Sequence, residues 1–130
     1  MHKRTQSGRW LLGAALFLFM AIANTGYAEQ PGKVTFSEDV FPILKYRCLE
    51  CHAAGGPGTV LSGLDLETYE GLMKGTKYGP IITPGNAMVS NLNVLVEGRA
   101  GIRMPHNRKR LTKCEVQILR DWVNQGAKNN

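Results

Sequence analysis

No apolar run in the chain reaches the ~20 residues that a membrane-spanning helix needs; the longest, Leu11 to Ala23, is thirteen residues. It follows His2, Lys3, Arg4 and Arg9 and precedes Gly26-Tyr27-Ala28, the order of basic start, apolar stretch and small residues that marks a secretory signal. Residues 1–28 are therefore expected to be a cleaved export signal, with an uncleaved N-terminal anchor, extended by Trp10 and Tyr27, as the alternative. No cysteine lies near the cleavage position, which argues against a lipid anchor, and no acidic residue lies before it. Three of the sixteen Lys and Arg belong to that segment, so residues 29–130 carry thirteen basic against ten acidic side chains, a net +3 compared with +6 for the whole chain. With so mild an excess, and without interleaved aromatic and basic residues, a nucleic-acid module has little support. Repeats and domain linkers are absent too, so residues 29–130 are expected to form one small domain with a modest core. In a bacterium, export places it in the periplasm.

Cysteine is scarce, and two of the three are spent in one place. Cys48-Leu49-Glu50-Cys51-His52 reads C-x-x-C-H, the attachment pattern of a c-type haem. The two thiols add across the two vinyl groups on one edge of the porphyrin, and the following histidine lies under the iron. On a helix these residues stand at i, i+3 and i+4 and share one face, with neighbouring Cβ atoms roughly 5–6 Å apart. A thioredoxin-like redox pair needs a βαβ context, and a zinc site needs a second ligand pair. Neither is visible. Cys114 is left without an intramolecular partner and reads as a buried free thiol on a helix, with intermolecular pairing as the alternative.

The rest of the chain reads as helices and turns. Ser37 is expected to cap a first helix, with Phe36 stapled onto Phe41 and Glu38 and Asp39 in the first turn. Pro42 either kinks that helix or begins it. Residues Ala53 to Gly58 form a glycine-rich loop able to approach the porphyrin closely; without a following G-K-[ST], a phosphate cradle is a poor rival. Leu61, Leu64 and Leu66 line an apolar patch, and Thr68 caps a short helix closed by Gly75. Residues 78–85, with Pro80 and Pro84, are extended. Asn86 is expected to cap a helix over 87–97 whose Val89, Leu92, Leu95 and Val96 face the core and which Gly98 ends. Arg99 to Arg110 is a basic connection without regular structure. Thr112 and Glu115 form a capping box, and Leu111, Cys114, Ile118, Leu119, Trp122 and Val123 make one apolar stripe before Gly126.

The sixth position of a haem held by one histidine decides between electron transfer and ligand chemistry. Met73 and Met88 fall on expected helices, where methionine is usually core filler. Met104 lies in the basic connection directly before Pro105, and a thioether there keeps iron six-coordinate and raises its potential. His106, two residues on, is an alternative ligand and would lower it.

At this point the chain resembles a family. An amphipathic helix into C-L-E-C-H, a glycine-rich loop, a later M-P and a C-terminal helix with an aromatic residue are similar to class I c-type cytochromes. The finer pattern resembles the small cytochrome c domains of planctomycetes and other bacteria. It rests on Val40-Phe41-Pro42-Ile43-Leu44, Gly63-Leu64-Asp65-Leu66, Pro84-Gly85-Asn86, Arg103-Met104-Pro105 and Asp121 to Ala127. The resemblance implies an all-α, single-domain cytochrome c fold packed around one covalent haem c. It also implies Cys48 and Cys51 as thioether sites, His52 as proximal and Met104 as distal ligand, and crossed first and last helices that bring Phe41 or Leu44 against Trp122.

The expected function is one-electron transfer between redox partner proteins, without a small-molecule substrate. Arg99, Arg103, Arg108, Lys109, Arg110 and Lys113 read either as a solvated face or as a set in which one residue neutralises a propionate and the others steer an acidic partner. Tyr78 is a weaker propionate candidate. The rivals are a five-coordinate haem enzyme or gas sensor, such as a small peroxidase, and a detached electron-entry module of a larger oxidoreductase, which would expose apolar surface around the haem edge.

Overall fold

A computed structural model describes residues 32–130; the expected export signal lies outside them. Six helices are present, and no strand, among the described residues: α1 Phe41–Arg47, α2 Leu49–His52, α3 Pro57–Ser62, α4 Tyr69–Lys74, α5 Asn91–Glu97 and α6 Lys113–Asn124. The all-α expectation holds. None of these helices is long and apolar enough to cross a membrane.

The chain enters α1 through a wide turn, Phe36–Val40, in which the Phe41 N–H reaches back five residues to the Phe36 carbonyl. The N-cap is Thr35 and not Ser37: the Thr35 hydroxyl accepts from Glu38 N–H, and the Asp39 carboxylate accepts from Thr35 N–H at 2.7 Å. The wide turn resolves the difficulty at Pro42. Placing five residues in one turn puts the proline at the start of the regular helix, where an N–H is not needed.

Phe36 thereby faces inward, with its ring 5.9 Å from Phe41, 5.2 Å from Tyr69 and 5.7 Å from Trp122, centroid to centroid. The N-terminal turn and α6 pack against each other, and Phe36 meets Trp122 there. Trp122 is fully buried and its indole N–H donates to the Lys128 carbonyl at 2.9 Å, while Tyr69 donates to the Ala127 carbonyl. These bonds fold the tail after α6 back over the aromatic cluster, and Ser37 N–H donates to the Asn130 carbonyl.

Four further expectations change. Pro57 and Gly58 belong to α3, which Pro57 begins and left-handed Gly63 ends, so the glycine loop is confined to residues 53–56. Leu64 and Leu66 are buried as expected, but Leu61 is 74% exposed. The fifth helix begins at Asn91 after Ser90, four residues later than its pattern suggested, and leaves Val89 exposed. Asn86 caps a turn instead, accepting from Met88 N–H. The N–H groups of Gly85 and Ala87 are taken by the Val123 carbonyl and the Asn124 side chain at the end of α6, which holds this stretch out of helical geometry. Finally, Cys114 is exposed and not buried: the apolar stripe of α6 is carried by Leu119, Trp122 and Val123.

Candidate haem site

The motif straddles a break between two helices. Cys48 leaves helical geometry at φ −126°, yet its carbonyl accepts from both Cys51 and His52 N–H groups at 3.1 and 3.0 Å. One turn of helix therefore still carries Cys48, Cys51 and His52 round to one side. All three line a single, largely apolar cavity of about 530 Å³. Its other walls come from Leu64 and Leu66, from Leu92, Leu95 and Val96 of α5, and from the segment between α5 and α6.

The expected distal residues reach the same cavity. Met104 lines it, half-buried, with its backbone N–H fixed to the Leu95 carbonyl at 3.1 Å, across a cis bond to Pro105. His106 lines it too, from an exposed position. Met73, on α4, and Met88, exposed in the turn before α5, do not line it.

Two features around His52 carry no sequence signal of their own. His52 Nδ1 lies 3.2 Å from the Leu64 carbonyl oxygen. A carbonyl only accepts, so Nδ1 carries a proton here, and in the neutral ring the lone pair is then on Nε2. The Leu66 N–H donates in turn to the His52 carbonyl, which locks the two segments side by side. Gly58 then closes over the imidazole. A Cβ there would stand 2.8 Å from His52 Cε1 and from the Cys51 carbonyl oxygen, and 2.9 Å from Nε2. A Cβ at Gly56 would stand 2.5 Å from the same carbonyl oxygen, so this glycine-rich stretch approaches the motif's own backbone and ring.

The charged rim is also specific. Burial pushes the Cys48 thiol up to about 11, opposed by the neighbouring Arg47 guanidinium, so the sulfur stays protonated at neutral pH. Arg47 makes a two-pronged ion pair with Glu115, at 2.7 and 2.9 Å. Of the basic residues between Arg99 and Lys113, only Arg108 lines the cavity, where it pairs with Glu50. Arg99 instead donates to the carbonyls of Met88 and Ala87 and pairs with Glu97, which makes it a brace of the fold. Tyr78 is 84% exposed and outside the cavity.

The donor set suits a haem: two thiols and an imidazole with a fixed tautomer at one end of a helix pair, a thioether and a second imidazole from a distant segment, and apolar walls between them. Residues 48–107 match a family model described as planctomycete cytochrome C. No curated protein and no solved structure matches the chain.

Proposed function

We infer that the chain is a covalent haem c protein that carries out haem-based electron transfer, a reading supported by the match of residues 48–107 to the planctomycete cytochrome C family model. The finer reading is a periplasmic single-haem electron carrier. Cys48 and Cys51 hold the haem by thioethers, His52 is the proximal ligand and Met104 the distal one. The haem supplies one-electron redox chemistry, and the protein sets its potential and access. The observation that carries this reading is that Cys48, Cys51, His52 and Met104 line one apolar cavity. Arg108 and Arg47, which both line the cavity, supply positive charge for the propionates, and the net +3 of residues 29–130 suits an acidic or membrane-associated redox partner.

One observation favours docking within a larger oxidoreductase as a second reading. Leu61 and Ile102 both line the cavity and are 74% and 59% exposed, so its mouth presents apolar surface. Both readings keep the iron six-coordinate. The test is the optical spectrum of the haem-loaded protein, oxidised and reduced, with and without carbon monoxide. A low-spin c-type spectrum indifferent to carbon monoxide is expected, and Met104→Ala should open the site to carbon monoxide and lower the potential. Ready carbon monoxide binding by the unaltered protein would favour a five-coordinate enzyme or sensor. An unchanged spectrum in Met104→Ala, with a changed one in His106→Ala, would move the distal ligand to His106.

A further inference from the structure

The Leu64 carbonyl accepts two hydrogen bonds. One is the contact with His52 Nδ1, at 3.2 Å; the other comes from the Thr59 hydroxyl on α3, at 2.9 Å. A backbone carbonyl has two lone pairs, so both donors can be served, but they draw on the same electron density. The hydroxyl is the closer of the two. Its position is fixed from both sides, because the Thr59 carbonyl accepts from Gly63 N–H at 2.7 Å where α3 ends, and Ser62 caps Leu64 N–H at 3.1 Å.

We propose that Thr59 is a positioning residue that tunes the reduction potential of the haem through the Leu64 carbonyl. The inference rests on the haem reading above. A proximal imidazole whose Nδ1–H is strongly bonded becomes a more basic ligand and stabilises the ferric state. By sharing the acceptor, Thr59 weakens that bond and holds the potential up. Thr59 does not line the haem cavity, so its hydroxyl acts through the Leu64 carbonyl.

The sign of the effect separates this role from a structural one. If the hydroxyl merely anchored the 62–66 segment, its loss would let Leu64 drift from His52, weaken the Nδ1 bond and raise the potential. If it competes for the carbonyl, its loss strengthens that bond and lowers the potential. The experiment measures the reduction potential of the haem-loaded protein with Thr59→Val, Thr59→Ala and Thr59→Ser, together with solvent exchange of the His52 Nδ1 proton by NMR. Expected are a shift to lower potential and slower exchange in the Val and Ala variants, with Ser restoring wild-type values. An unchanged or raised potential in both variants that lack the hydroxyl overturns the proposal while leaving the haem reading intact. Failure of the unaltered chain to bind haem covalently, in a host with a working maturation system, overturns both.

Discussion

A methyl group added at Gly58 would fall 2.8 Å from the His52 ring and from the Cys51 carbonyl, both closer than carbon atoms normally approach. The ring belongs to a side chain and can turn, but turning it breaks the alignment of Nδ1 with the Leu64 carbonyl. Gly58→Ala should therefore cost about 1–3 kcal/mol in overpacking, read as a lower denaturant midpoint, and should disturb the low-spin spectrum of the loaded protein. A variant with unaltered stability and spectrum would show that the imidazole is not held by this contact. At this scale the sequence revealed the groups with distinctive chemistry: Cys48, Cys51, His52 and Met104 were all legible, and all reach the cavity. Gly58 was visible only as part of a loose loop. The Leu64 carbonyl could not be seen at all, because every residue has one and only the fold decides which carbonyl meets a ring nitrogen.

Helices were legible where a side chain marks their boundary and obscure where the backbone of another segment does. Thr68 and Gly75 bound α4, and Thr112 with Glu115 starts α6, each as its local sequence indicates. The start of α5 is different, because α6 holds the N–H groups of Gly85 and Ala87 from far along the chain. For α3 the reason is local: Pro57 between two glycines suggests a turn although proline is well placed at a first helical position. The cap of α6 gives the prediction at this scale. Thr112→Ala removes the acceptor for Glu115 N–H, bonded at 3.2 Å, and should cost about 1 kcal/mol. Chemical denaturation should show a lowered midpoint with an unchanged slope, and Thr112→Ser should recover most of the loss. Equal stability of the Ala variant would mean that tertiary packing alone sets where α6 begins.

Across the whole molecule, one carboxylate joins the two ends of the fold. Glu115 closes the capping box of α6 by accepting from Thr112 N–H at 2.6 Å, and the same group grips the Arg47 guanidinium at the end of α1, one residue before the haem motif. The Arg47 bond, reinforced by Thr112, holds the Glu115 carboxyl down to about 2, against an ordinary 4.5. The folded state thus binds this proton less readily than the unfolded chain. The resulting stabilisation is fully present above about pH 4.5 and disappears as the pH falls towards about 2. It is moderate, because both side chains remain about a quarter exposed and are screened by water. Glu115→Gln keeps an oxygen for the capping box but removes the charge facing Arg47. At neutral pH this variant should be less stable than the unaltered protein, and the gap should narrow through the acid range and close near pH 2. Denaturation midpoints measured from pH 7 to pH 2 on both proteins test this. A gap that stayed constant over the whole range would assign the loss to packing, and the charge linking α1 to α6 would then contribute nothing to holding the haem motif against the last helix.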